Sequence, residues 1–220
     1  MGARPISLLF GPQSTLTSES ISQIRATILQ DPTLHFLHDV LKDLSLLWAS
    51  ITNAWPALIS LPGETYLIEL GRFFQEGGDP PAFSETSNII WAPLAVVSQV
   101  IDFWKTKDHI KCFHSSESPT ERPPLIDVQG FCIGSLTAAA TACSHNTEEF
   151  KSFSSKAVHL AVCIGAAVDF DALDTSFRGY SIAIRWRSDL EYQCLEDLLG
   201  YYHRVSEYLH TFQDNSNTIR

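Results

Sequence analysis

The segment Gly130-Phe131-Cys132-Ile133-Gly134 sets one nucleophile between two glycines. A strand that turns sharply into a helix can hold a side chain at the top of the turn. The residues flanking it must then be small, because backbone and helix approach closely there. Gly130 and Gly134 fill those crowded positions, and the partial positive charge at the start of the following helix favours a thiolate on Cys132. Backbone amides of the turn, notably that of Ile133, are placed to hydrogen-bond the oxyanion of a tetrahedral intermediate. Cysteine suits an acyl relay between thioesters: the acyl-enzyme is itself a thioester, so both transfers are close to isoenergetic, and exchange is favoured although hydrolysis stays open. The competing reading makes Cys132 a small buried hydrophobe in a glycine-containing turn.

The other reactive residues form no comparable pattern. The five cysteines, Cys112, Cys132, Cys143, Cys163 and Cys194, include no CxxC pair and are odd in number, which argues against a disulfide framework or a zinc site. His159 lies one helical turn before Cys163, but a hydrogen-bonded core histidine is the expectation there rather than a metal ligand. His203 and His210 fall seven residues apart on one helix face with nothing to aim either at Cys132. His145 follows the elbow helix, where an imidazolium complements the dipole, and His35, His38, His109 and His114 have no motif around them. Glu148 and Glu149 read as first-turn carboxylates. Gly77-Gly78 lacks the spacing of a phosphate loop. Trp48, Trp55, Trp91 and Trp104 read as core rather than as a ligand platform.

An elbow requires a strand before it and a helix after it, and both are present. Leu125 to Gln129 is strand-like, Gly130 to Gly134 is the turn, and Ser135 to Cys143, rich in Ala and free of Gly and Pro, is a helix. Ile6 to Phe10, closed by Gly11-Pro12, reads as a buried strand ending at the edge of a site. Ser18 to Trp48 has the spacing of two amphipathic helices divided at Asp31-Pro32. Leu67 to Phe74 reads as a helix end before the loop Gly77 to Pro81, and Ile89 to Trp104 as a helix. Phe113 to Pro124 is a surface loop. Ala157 to Val168, apolar almost all round, predicts a helix packed on both sides. Ser181 to Trp186 reads as a strand and Leu190 to Phe212 as a helix. Strands separated by helices predict an α/β domain with a mainly parallel sheet.

Of 220 residues, 45% are hydrophobic and 18% charged, enough for a sizeable core. The formal charge of −10 opposes binding to phosphate backbones and anionic lipid surfaces, so no nucleic acid or membrane partner is expected. No uninterrupted apolar run reaches spanning length. Met1 to Pro5 shows no secretory h-region, and Ile6 stands where myristoylation needs Ser or Thr. A soluble, cytoplasmic protein is the expectation.

The elbow, with Ser135-Leu136-Thr137-Ala138-Ala139-Ala140 after it, resembles the GxCxG signature of the starter-unit acyl carrier protein transacylase domain of fungal non-reducing polyketide synthases. Leu9-Phe10-Gly11-Pro12-Gln13 is similar to that family's opening FGxQ element, Ala92 to Val97 to its Pro-Leu helix, Ala161 to Ala166 to its second helix after the elbow, and Ile184-Arg185-Trp186 to its Arg-Trp strand end. The resemblance implies a malonyl-transacylase-like fold, with an α/β-hydrolase-like core and a small ferredoxin-like part inserted in it. On that pattern residues 1–205 form the core and residues 206–220 begin a ferredoxin-like part that the chain does not complete. It implies that Cys132 takes an acyl starter from coenzyme A or a phosphopantetheine-linked group of a fatty-acid synthase and passes it to the polyketide synthase's acyl carrier protein. No bound cofactor or metal is implied. Gln13 would border the acyl carbonyl with Ile133. The family's histidine base follows a glycine-arginine-aromatic turn that this sequence lacks, so the base is unassigned. Two other functions stay open on the sequence: an inactive truncated piece with at most a carrier-binding role, and a cysteine hydrolase of the dienelactone-hydrolase type, for which Asp189 followed by His203 or His210 satisfies only the order.

Overall fold

A computed structural model of the chain describes residues 6–12, 16–80, 87–110 and 126–173, with single helical positions at 193, 196, 197 and 200. The chain divides into two compact units, residues 1–177 and 178–220, and the architecture that follows belongs to the first. The segments Ser181–Trp186, Leu190–Phe212 and 206–220, on which a further strand, a helix and a ferredoxin-like entry were expected, lie outside the described residues apart from those single positions.

Strand β1 (Ile6–Phe10) pairs in parallel with β2 (Ile126–Gly130), in a register that sets Ile6 beside Ile126 and Phe10 beside Gly130. A parallel pair needs a crossover between its strands, and here the described residues of the crossover carry five α-helices, α1 (Ser18–Gln30), α2 (His35–Lys42), α3 (Leu44–Ala54), α4 (Gly63–Glu76) and α5 (Asn88–Thr106). Helices α6 (Gly134–Ala142) and α7 (Thr147–Asp171) follow β2. The described part is thus mostly helical around a small parallel sheet, consistent with an α/β class. Gly130 pairs as the last residue of β2, so the turn starts one position later than the sequence predicted.

The spacing of Ile21, Ile24 and Ile28 buries them along α1, whose start is capped by Thr17 accepting from the Ser20 amide at 3.1 Å. Asp31 ends α1 and caps the next turn, accepting from the Thr33 hydroxyl at 2.6 Å and the Thr33 amide at 2.9 Å. The hydroxyl is the main reason its carboxyl is held below the usual range. The second helix expected before Trp48 is in fact two. Asp43, a weak residue for a helix interior, takes φ −96° and ψ 4° and parts α2 from α3, so Leu37 and Leu41 face the core from one helix and Leu44 and Trp48 from the next. Helix α4 begins earlier than the apolar spacing indicates, at Gly63, where the Trp48 ring occupies the space a Cβ would take. It ends at Gly77, and Gly77 and Gly78 at φ 86° and 93° make the predicted turn.

Helices α5 and α7 form the main helix pair. Asn88 runs so close to Gly165 that a Cβ on the glycine would meet Asn88 backbone. Phe10, Phe103, Phe150 and Trp104 stack in a row across β1, α5 and α7, with centroids 4.8 to 6.2 Å apart at successive steps. Helix α7 is much longer than the apolar stretch 157–168, and it packs on one side rather than two. Ala157, Val158, Ala161, Val162 and Ala166 are buried, while Leu160, Ile164 and Val168 are exposed among the described residues. By length and composition α7 could cross a membrane, but its buried stripe is part of the core with α5 and α6. Of the tryptophans, Trp48 and Trp104 are core, Trp91 is half-buried, and Trp55 is exposed against Phe170 at 5.3 Å.

Candidate active site

Cys132 has φ 56°, and among the described residues it is the one non-glycine residue with positive φ. A side chain in the left-handed region costs roughly 1–2 kcal/mol, and such strain persists where the surrounding structure over-determines it. Here the surroundings are backbone on both sides. The Phe131 amide donates to the Phe10 carbonyl at 2.9 Å, which continues the β1–β2 pairing to the lip of the turn. The amides of Gly134 and Ser135 then donate to the carbonyls of Phe131 and Cys132 at 3.1 and 3.0 Å, winding the chain into α6. A Cβ on Gly130 would stand 2.5 Å from Ser135 Cα, and one on Gly134 would run into the Phe10 and Gly11 carbonyl oxygens. Both glycines are therefore required by close approach, as the spacing predicted.

The thiol of Cys132 is exposed, which overturns the reading of this residue as a buried hydrophobe. The Ile133 side chain is buried, and among the described residues its N–H has no acceptor. An uncommitted amide next to an exposed thiol at a helix start is the donor that an oxyanion needs. Gln13 lies outside the described residues. Replacing Cys132 by Gly should leave the chain about 1 kcal/mol more stable than replacing it by Ala, because only the glycine relieves the left-handed strain. Urea melts of the two variants measure this, and equal midpoints would remove the strain argument.

The other candidates stand apart from the elbow. His145 is 87% exposed at the far end of α6, a helix about 13 Å long, and its ring meets Glu149 Oε2 at 3.0 Å. The His145 amide, and then its ring, hold the Glu149 carboxyl below the usual range. Asn146 caps α7 by accepting from the Glu149 amide at 2.9 Å, so Glu148 and Glu149 are the first-turn carboxylates expected. His159 is half-buried, and burial lowers its pKa despite the opposing Asp43. Burial likewise raises the thiol of Cys163. No three His, Cys, Asp or Glu side chains gather as a metal site among the described residues. His35 and His109 are exposed and His38 half-buried, while His114, Asp189, His203, His210, Cys112 and Cys194 lie outside the described residues.

The spacing of reactive residues did not single out Gln99 or Thr137. The Gln99 side-chain amide donates to the Gly11 carbonyl at 2.9 Å, and the fully buried Thr137 hydroxyl donates to Gln99 Oε1 at 2.8 Å. The available signal was the polar pair Ser98-Gln99 in the otherwise apolar run from Leu94 to Ile101.

Residues 8–178 match the family described as "Starter unit:ACP transacylase in aflatoxin biosynthesis". The chain is 44% identical over 217 residues to the non-reducing polyketide synthase mapC of Penicillium roqueforti (strain FM164), an alignment covering 96% of this chain and 9% of that protein. It is 42% identical over 195 residues to the non-reducing polyketide synthase nvfA of Aspergillus novofumigatus (strain IBT 16806), covering 89% and 8%. It is 34% identical over 198 residues to the non-reducing polyketide synthase ausA of Emericella nidulans, covering 90% and 8%. The chain thus spans less than a tenth of the length of these relatives. With the elbow at Cys132 inside the matched region, this chain belongs to the starter unit:ACP transacylase family of the non-reducing polyketide synthases.

Proposed function

We propose that this chain loads starter units in aromatic polyketide biosynthesis, with Cys132 as the acyl-carrying nucleophile. The observation that carries the reading is an exposed cysteine held at φ 56° between two glycines that backbone contacts require. The thiolate attacks the acyl carbonyl of a coenzyme A or phosphopantetheine thioester. The Ile133 amide, with Gln13 beside it, receives the oxyanion, and the donor thiolate leaves as the carbonyl reforms. A carrier-protein phosphopantetheine thiol then attacks the acyl-Cys132 thioester by the same path and releases Cys132. The family resemblance assigns deprotonation of the Cys132 thiol to a histidine, and no hydrogen bond from a described histidine reaches Cys132.

This reading places the elbow in a malonyl-transacylase-like core, acting in the cytoplasm with an acyl carrier protein as acceptor and coenzyme A or a fatty-acid synthase as donor. The test is intact-mass analysis of the 220-residue chain after incubation with acyl-coenzyme A thioesters from acetyl to octanoyl. One acyl group should be added, be removed by hydroxylamine as a thioester is, and be missing from Cys132→Ala. Equal acylation of the variant would sink Cys132 as nucleophile.

A further inference from the structure

Gln99 stands in α5, on neither the strand nor the elbow, yet its side chain joins both ends of the candidate site. Its Nε2 donates to the Gly11 carbonyl at 2.9 Å, at the exit of β1, and its Oε1 accepts from the Thr137 hydroxyl at 2.8 Å, one turn into α6. Thr137 is fully buried, and its own carbonyl accepts from the Thr141 hydroxyl at 2.9 Å, so the α6 end of this bridge is fixed. The Gly11 carbonyl is also the atom into which a Cβ on Gly134 would run. One amide side chain therefore ties the end of β1 to the first turn of α6, and Ile133 immediately precedes that turn.

We infer that Gln99, braced by Thr137, is a positioning residue for acyl transfer: it fixes the Gly11 carbonyl against α6 and thereby sets the aim of the Ile133 amide at the oxyanion. The inference rests on the acyl-transfer reading of Cys132. The bridge is poorly explained as a stability device alone. A half-buried glutamine with both ends of its amide engaged across two elements adds orientation at a place where apolar packing would supply more burial. Small displacements of a catalytic donor are costly, since misplacement by about 1 Å can lower a rate roughly 100-fold.

The experiment compares two reactions of the same thiol in the 220-residue chain at about pH 9, where an ordinary thiol is largely ionised without a base. Acylation by acyl-coenzyme A thioesters needs the oxyanion donor. Alkylation by iodoacetamide, a direct displacement at carbon, does not. Gln99→Met, close in size but without the amide, should acylate at least ~10-fold more slowly than wild type, with alkylation within about twofold. Thr137→Val should lower acylation in the same direction, and Thr137→Ser, which keeps the hydroxyl, should restore it. If Gln99→Met slows both reactions equally, or neither, the positioning role is overturned while Cys132 stands. If wild type gains no acyl group, or Cys132→Ala gains it equally, the acyl-transfer reading fails and this inference falls with it. Circular dichroism melts of each variant identify unfolding, and Thr137→Val compared with Thr137→Ser carries the test should Gln99→Met not fold.

Discussion

Gly134→Ala is expected to lower the stability of the chain by roughly 3 kcal/mol or more and to abolish acylation of Cys132. Overpacking a core usually costs about 1–3 kcal/mol, because neighbouring side chains can rotate away. At Gly134 the neighbours are the Phe10 and Gly11 carbonyls, with Phe10 C at 2.7 Å from the added carbon, and none of them can rotate away. Either α6 lifts from the end of β1 or β1 parts from β2 where the Phe131 amide bonds the Phe10 carbonyl. Both movements change the turn that holds Cys132 at its left-handed φ. Against a typical total of about 5–15 kcal/mol, this is a large share of the stability. Gly11→Ala is the matched control, since a Cβ there meets nothing within 4 Å. Urea melts should show a shift of less than about 0.5 kcal/mol for that control. A Gly134→Ala chain with the wild-type midpoint and an acylated Cys132 would mean that the close approach is not required.

The elbow was legible because its constraints are local. A nucleophile between two glycines, a strand before it and an Ala-rich helix after it are all fixed by residues within about twenty positions, and Gly130 and Gly134 serve the close approaches that their spacing predicted. The apolar steps of Ile21, Ile24 and Ile28 likewise specify one buried helical face. What escaped was non-local. The break at Asp43 falls between the buried Leu41 and Leu44, and a continuous i, i+3, i+4 pattern does not encode such a break. The start of α4 lay outside the apolar spacing of Leu67 to Phe74, and the role of Gly63, which makes room for the Trp48 ring, depends on a residue fifteen positions away. For α7, composition indicated burial all round, but apolar residues show only that burial is allowed, and Leu160, Ile164 and Val168 stay exposed among the described residues. Gln99 and Thr137 lie 38 positions apart, and only the fold brings them into one hydrogen bond.

The same kind of distant contact underlies the second large effect, expected for Asp169→Ala. Helix α5 begins at Asn88 without a side-chain cap from Ser87, although serine is a favoured residue at that position. The cap is supplied instead by Asp169 in the last turn of α7. Its carboxylate accepts from the amides of Asn88 and Ile89 at 2.9 and 3.1 Å, from Asn88 Nδ2 at 2.8 Å and from the Ser87 hydroxyl at 3.1 Å. A carboxylate near a helix C-terminus is disfavoured by the α7 dipole, so its place there depends on the N-terminal dipole and open amides of α5. Removing it takes the carboxylate away from those donors beside the Gly165–Asn88 crossing. The expected loss is roughly 2–3 kcal/mol, and Asp169→Asn, which keeps one acceptor oxygen, should lose less. Because Asp169 touches α5 at its start and not the elbow, the Asp169→Ala chain should still acylate Cys132 at a temperature where it remains folded. Melts of the two variants, read with acylation below the transition, test both halves. An unchanged midpoint would refute the cap, and loss of acylation in the folded chain would show that the α5–α7 crossing reaches the site.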